Sequence, residues 1–309
     1  MSSREPILTV RHLTKRYGSA TVVDDVSFSI NPGDVVGLIG PNGAGKSTVM
    51  KSLIGLVRPS GGHLELLGHA VGSAGWSEAL TRVGSMIEAP PLYPRLTARQ
   101  NLRYQMLAVG QPVDELRIDE ILELVGLLAE GDHRPATFSL GMKQRLGIGI
   151  CLVGRPELVI LDEPANGLDP AGIREIRSLL RRLPETGTTV LVSSHQLAEV
   201  QQACDSLVVL DQGRLVTAGS TDEIVESRRE HAFEITVDPA EHARCLSTLE
   251  GAGHLVTAVD LDRLDVRPPV DIRGRDLVRT LAEAGIYPDS LSPKTVSLEE
   301  AFLELTTAR

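Results

Sequence analysis

Gly40-Pro41-Asn42-Gly43-Ala44-Gly45-Lys46-Ser47-Thr48 decides the reading of this chain. It carries the pattern Gly-x4-Gly-Lys-Ser between a short apolar strand, Val35-Val-Gly-Leu-Ile39, and a helix expected from Lys46 to about Leu56. Strand, glycine loop and helix in that order are the context in which this pattern cradles a polyphosphate. Glycines 40, 43 and 45 carry no Cβ, so successive backbone N–H groups can converge on the anion. The helix presents its positive dipole end to the same place. Lys46 is expected to reach the β- and γ-phosphate oxygens of ATP, and the Ser47 hydroxyl to take a position on Mg²⁺. The plain alternative, a glycine turn with an exposed lysine, does not explain the flanking strand and helix.

A second run supplies carboxylates. Leu158-Val-Ile-Leu161 is an apolar strand ended by Asp162 and Glu163. A carboxylate at the tip of a buried strand needs a partner, because an unpaired charge there is costly. Beside the glycine loop, Asp162 suits Mg²⁺, and Glu163 suits the attacking water as general base or orienting group.

The rest of the chain fits an α/β protein. Segments 21–30, 189–193, 207–210 and 215–217 read as strands, the last two as a hairpin around Asp211-Gln-Gly-Arg214. Residues 97–154 read mainly as helices, opened by a capping box at Thr97-Ala-Arg-Gln100. Strands apolar on both faces, alternating with helices such as 171–183, predict a mainly parallel sheet covered by helices. Arg174 to Arg182 reads as a solvated helix face. After about Glu226 the character changes, and the order strand, helix, two strands, helix, short strand suggests a small α+β unit of the split βαβ, or ferredoxin-like, kind.

Bulk properties narrow the class. The chain has 309 residues, 42% hydrophobic and 23% charged, which suits two globular domains. A net charge of -10 argues against a nucleic-acid partner held by the overall field. Three widely spaced cysteines, 151, 204 and 245, without a Cys-x-x-Cys pair, fit reduced core residues of a cytoplasmic protein. The first residues lack an apolar signal segment, and no apolar run approaches the roughly 20 residues of a membrane helix. A membrane role would have to be carried by a partner.

Taken together, the motifs resemble one family closely, the nucleotide-binding subunits of ABC transporters. Phe138-Ser139-Leu140-Gly141-Met142-Lys-Gln-Arg145 resembles its signature motif, Asn166-Gly-Leu-Asp169 its D-loop, and Ser194-His195 its switch histidine. Tyr17, in Lys15-Arg-Tyr-Gly18, resembles the aromatic that stacks on adenine. The likeness covers roughly residues 6 to 220. It implies a P-loop NTPase ABC-type ATPase domain over 1–225 with a helical subdomain at about 88–154, followed by an accessory domain at 226–309. It implies catalytic roles for Lys46, Glu163 and His195. Nucleotide contacts are implied for Tyr17, Gly40, Asn42, Gly43, Ala44, Gly45, Lys46, Ser47, Thr48, Glu88, Ser139, Gly141 and Asp169. Ser47, Asp162 and Glu88 are the implied metal set. It further implies ATP hydrolysis in a head-to-tail homodimer, in which Ser139 of one copy grips the γ-phosphate bound by the other. A separate membrane permease would be driven from the inner face of the cell membrane. The signature segment also makes physical sense, since Ser139 can cap the following helix and form an anion site with its free N–H groups.

Two positions depart from the family form. Leu140 and Met142 stand where Gly and Gln are usual, away from the expected Ser139 and Gly141 contacts. Glu88, in Met86-Ile-Glu-Ala-Pro-Pro-Leu-Tyr-Pro94, stands in the place of the Q-loop glutamine. Glutamate is charged and acceptor-only, whereas glutamine is neutral and can donate. This variant with the Leu-Gly-Met-Lys-Gln signature resembles the bacitracin- and lantibiotic-resistance branch of exporters, which implies export of a drug, antibiotic or peptide. Ser297 to Thr306 reads as an amphipathic helix with Leu298, Phe302 and Leu305 on one stripe, serving domain core or subunit contact. His231, His242 and His254 lack metal-ligand spacing. The alternatives are a soluble ABC ATPase not coupled to transport and a regulatory binder that does not hydrolyse. The single glycine loop, the absence of sustained heptads and the intact Lys46, Asp162, Glu163 and His195 weigh against them.

Overall fold

The computed structural model describes residues 5–195, 202–227, 232–268 and 272–293. The chain divides into two compact units, Met1–Asp222 and Glu223–Arg309. The stripe at 297–306 and His231 lie outside the described residues.

The first unit holds two sheets. In the antiparallel one, β1 (Leu8–Tyr17) lies between β2 (Ala20–Ile30) and β4 (Gly61–Leu66), with β5 (His69–Ala70) outside β4. The sequence reading expected a strand at 21–30 but not this separate sheet. In the other, β3 (Val35–Ile39) is central, flanked by β8 (Thr189–Ser194) and β9 (Ser206–Asp211). Beyond β8 come β7 (Leu158–Leu161) and β6 (Val83–Met86); β10 (Arg214–Ser220) is the one antiparallel member, paired with β9. Every residue of β3 and β7 is buried, which explains their unbroken apolar runs.

Register places the site. Ile39 of β3 is level with Ser194 of β8, and Leu161 of β7 is level with Val192. The chain therefore leaves β3, β7 and β8 at one sheet edge, the carboxyl edge where open α/β sheets bind ligands.

Helix α1 (Lys46–Leu53) follows β3 and is shorter than expected, because Gly55 N–H bonds back to Ser52 at 3.2 Å and tightens the last turn. After the short α2 (Trp76–Thr81) come α3 (Ala98–Ala108), α4 (Glu115–Leu124) and α5 (Leu140–Cys151), the helical region. The Thr97 capping box forms with both bonds: Gln100 N–H donates to Thr97 Oγ1, and Thr97 N–H to Gln100 Oε1. Helix α6 (Pro170–Arg182) joins β7 to β8. Cores of both sheets merge around Leu8, Leu38, Met50, Leu158 and Leu191.

Helix α7 is Thr221–Ser227. The second unit runs β11 (Phe233–Thr236), α8 (His242–Gly251), β12 (Leu255–Ala258), β13 (Arg263–Arg267), α9 (Gly274–Glu283), β14 (Ser290–Pro293). Its sheet is antiparallel throughout, in the order β12-β13-β11-β14, with a core of Phe233, Ile235, Cys245, Leu249, Val266 and Leu281 among others.

Candidate functional site

The glycine loop turns sharply between β3 and α1. Gly45 has φ +97°, and a Cβ there would stand 2.9 Å from the Val22 carbonyl oxygen, so both conformation and space require glycine. Gly40, Gly43 and Ala44 complete the turn; Pro41 and Asn42 are exposed, while Ser47 and Thr48 are half-buried at the start of α1. Lys46 is buried, 6% exposed, and its Nζ donates to Gly40 O at 2.7 Å and Pro41 O at 3.2 Å. An ammonium tied to the loop's own carbonyls is held at the loop, where a polyphosphate would bind.

Lys46 also pairs with Glu163, Nζ to Oε1 at 3.3 Å. The other oxygen of Glu163 is 2.6 Å from His195 Nδ1. One carboxylate thus joins the lysine of the glycine loop to the histidine that follows β8. Glu163 adopts a left-handed backbone, φ 48°, uncommon for a side chain of this size. Its N–H is secured by Ser193 Oγ at 2.9 Å. Ser193 in turn donates to Asp162 Oδ1 at 2.6 Å.

Asp162 is buried, and among the described residues its second oxygen, Oδ2, has no hydrogen-bond or ion-pair partner. A carboxylate oxygen left without a protein partner near a serine-bearing glycine loop is chemistry that suits a hard divalent cation. The residues therefore fit the ATP–Mg²⁺ pair.

Glu88 is taken up by a different partner. Its carboxylate is bound by Lys51 of α1, Nζ to Oε1 at 2.6 Å, and it makes no hydrogen bond to Ser47 or Asp162 among the described residues. The hydrogen bond from Lys51 and that ammonium's charge hold the Glu88 carboxyl below the usual range, and the same bond raises Lys51.

Ser139 caps α5, accepting Met142 N–H at 3.2 Å, and Asp169 caps α6, accepting Gly172 N–H at 3.1 Å. Gly141 lies against this second cap: a Cβ on it would be 3.8 Å from Leu168 and 3.9 Å from Gly172. Neither Ser139 nor Asp169 hydrogen-bonds residues 40–48 among the described residues, so within one copy the signature segment is not joined to the glycine loop. Tyr17 is 49% exposed, with Lys15 Nζ 4.7 Å from its ring centroid.

Sequence reasoning missed Ser193 and Lys51. Ser193 ends an apolar run and gives no pattern of its own. Lys51 stands four residues after Ser47, on the same helix face, and that spacing is the signal that could have found it.

Comparison with known proteins agrees with this geometry. Residues 23–166 match the family model described as ABC transporter. The chain is 36% identical over 302 residues to an uncharacterised ABC transporter ATP-binding protein of Bacillus subtilis, YhcH, covering 97% of this chain and 96% of that one. It is 42% identical over 226 residues, 73% of each, to the bacitracin transport ATP-binding protein BcrA of Bacillus licheniformis. The lantibiotic transport ATP-binding protein SrtF of Streptococcus pyogenes is 44% identical over 212 residues, 68% of this chain and 89% of that one. A solved structure of an ATP-binding subunit of an ABC transporter shares 34% identity with a TM-score of 0.63, covering 72% of this chain and 92% of that one. With a buried lysine-bearing phosphate loop, paired acids and a histidine at one sheet edge, and relatives matched almost end to end, the chain belongs to the ATP-binding proteins of ABC transporters.

Proposed function

We propose that this chain hydrolyses ATP in a head-to-tail homodimer and so drives a separate membrane permease that exports a drug, antibiotic or peptide. One observation carries the hydrolytic reading: Glu163 is shared between Lys46 and His195 at the edge where β3, β7 and β8 end. Backbone N–H groups of residues 40–48 would bind the polyphosphate, and Lys46 would exchange its carbonyl partners for phosphate oxygens. Bound Mg²⁺, held by Ser47, Asp162 and Glu88, would supply neutralising charge on the β- and γ-phosphates. Glu163 would orient the attacking water and take its proton, with His195 steering that carboxylate and facing the γ-phosphate. Tyr17 would stack on adenine, while Ser139, Gly141 and Asp169 would complete the site of the second copy.

The domain assignment that goes with this reading is an ATPase domain at 1–225, a helical subdomain at 88–154 and an accessory domain at 226–309. Among the described residues no helix is long and apolar enough to cross a membrane, so the proposed transport needs a partner that does, with this chain peripheral on its inner face. The named cargoes of BcrA and SrtF support an antibiotic or peptide as cargo.

Glu163→Gln tests the reading. Phosphate release should fall about 100-fold or more, while a fluorescent ATP analogue binds as before and ATP produces dimers in gel filtration. Turnover that survives the substitution would remove Glu163 as base. Affinity purification from membranes should bring down a multi-span protein; purification without one favours the soluble ATPase.

A further inference from the structure

Glu88 is the residue by which this chain departs most from the common form of its family, and Lys51 is its partner. Three features of the pair go beyond a surface ion pair. First, Lys51 is one helical turn beyond Ser47 on α1, so the two residues share a face of that helix. Second, Glu88 is the central residue of a γ-turn: Ala89 N–H bonds Ile87 O at 3.0 Å, and Glu88 has φ 73°. A glutamate held at positive φ, followed by Pro90 and Pro91, is presented by a stiff and strained segment. Third, the two partners are unequally covered. The Lys51 side chain is 30% exposed and that of Glu88 is 71% exposed. The ammonium is the fixed member, and the carboxylate is the one open to another partner.

Lys51 is also drawn electrostatically by Asp162. Glutamine at position 88 would add no charge beside Asp162 and Glu163; glutamate adds one, and Lys51 is the group that offsets it.

We propose that Lys51 is a positioning residue of the ATP site: its ammonium and the divalent cation compete for the carboxylate of Glu88, so Lys51 sets how tightly the site takes metal. This rests on the reading of Glu88 as a metal-site residue, and the two can fail separately. The ordinary role for a lysine here is to complement the last turn of α1, which needs no Glu88.

The test measures Mn²⁺ binding by the paramagnetic resonance of free Mn²⁺, with the full chain and a saturating non-hydrolysable ATP analogue. Five proteins are compared: wild type, Lys51→Met, Lys51→Arg, Glu88→Gln and the double variant of Lys51→Met with Glu88→Gln, each checked for folding by its urea midpoint. Lys51→Met should bind Mn²⁺ about three- to tenfold tighter, in the lower part of the range for coupled neighbours. Glu88→Gln should bind it more weakly, and the double variant should match Glu88→Gln. Lys51→Arg, which keeps the charge, should restore the wild-type value. If Glu88→Gln changes Mn²⁺ affinity but Lys51→Met does not, the competition is wrong and the Glu88 reading stands. An equal effect of Lys51→Met in both backgrounds also overturns it, because Lys51 would then act without Glu88. If Glu88→Gln leaves Mn²⁺ affinity unchanged, the metal-site reading of Glu88 falls, and the competition falls with it.

Discussion

Ser193 donates its hydroxyl proton to Asp162 across two neighbouring strands, Oγ to Oδ1 at 2.6 Å. The same oxygen accepts the N–H of Glu163 at 2.9 Å, and Ser193 is wholly buried. A single hydroxyl on β8 therefore fixes both acids that end β7. By occupying Oδ1 it also decides which oxygen of Asp162 is left for another ligand.

Ser193→Ala should cost stability as well as function. It leaves Asp162 without its donor and Glu163 N–H without its acceptor, in a place where each unmet group costs on the order of 1–3 kcal/mol. The urea midpoint of the ATPase transition should fall at an unchanged slope. Metal-dependent nucleotide binding should weaken in parallel. A wild-type midpoint would mean that water replaces the hydroxyl and that Ser193 does not hold the acids.

The turn between β9 and β10 is hydrogen-bonded to the glycine loop. Gly213 has φ +80°, donates its N–H to Ala44 O at 3.2 Å and accepts Asp24 N–H at 2.8 Å. A Cβ on it would stand 2.4 Å from the Val22 carbonyl oxygen, and that atom is backbone. Gly213→Ala should push this turn off Ala44 and weaken ATP-analogue binding about tenfold, a change of roughly 1.4 kcal/mol. Gly68→Ala is the control: its φ is +77°, with nothing within 4 Å of the added Cβ. Both variants bear the cost of positive φ, so equal losses of nucleotide affinity would show that bracing plays no part.

The readable features were those whose chemistry is local. Residues 40–48 are legible as a glycine loop between a strand and a helix, because the pattern of glycine, lysine and serine in that order carries its own context. The run 158–163 is legible for a similar reason, since a buried strand ending in two acids has few explanations. The antiparallel sheet was not legible as such. β1 and β2 lose register between Val10 and Leu13, where His12 and Asp25 take left-handed backbones, φ 53° and 57°, and the period-two pattern slips. The partners Lys51 and Ser193 were hidden for another reason. Lys51 meets Glu88 across 37 residues and Ser193 meets Asp162 across 31, so their pairing depends on strand register and loop path. In the second unit the alternation is visible along β11 and β13, where Phe233, Ile235, Leu264 and Val266 are buried.

The cysteines should behave as core atoms. Burial pushes the thiols of Cys151 and Cys204 up to about 12 and that of Cys245 to about 11, and none is in a disulfide. Since the thiolate is the reactive form, a thiol reagent at about pH 8 should label the native protein very slowly. In denaturant all three should react at once. Rapid labelling of any of them in the native protein would show an opening that this packing does not contain.

His254 gives the second unit a pH dependence of defined sign. It follows α8 as a partly covered ring whose Nδ1 has no hydrogen-bond partner among the described residues. Desolvation disfavours the charged imidazolium, so its pKa in the folded chain lies below the ordinary histidine value of about 6.5. Between the folded pKa and 6.5 the unfolded chain binds more protons, so stability rises with pH across that window. The contribution is fully present above 6.5 and is lost as pH falls through the folded pKa. A histidine ring NMR titration of the intact chain should place the midpoint of His254 below 6.5. Amide exchange in α8, corrected for intrinsic rates, should quicken as the pH is lowered through the same window. His254→Leu should remove that part of the response. A midpoint at or above 6.5 would mean that the ring is hydrated or paired, and the unit would then owe none of its acid sensitivity to burial of this group.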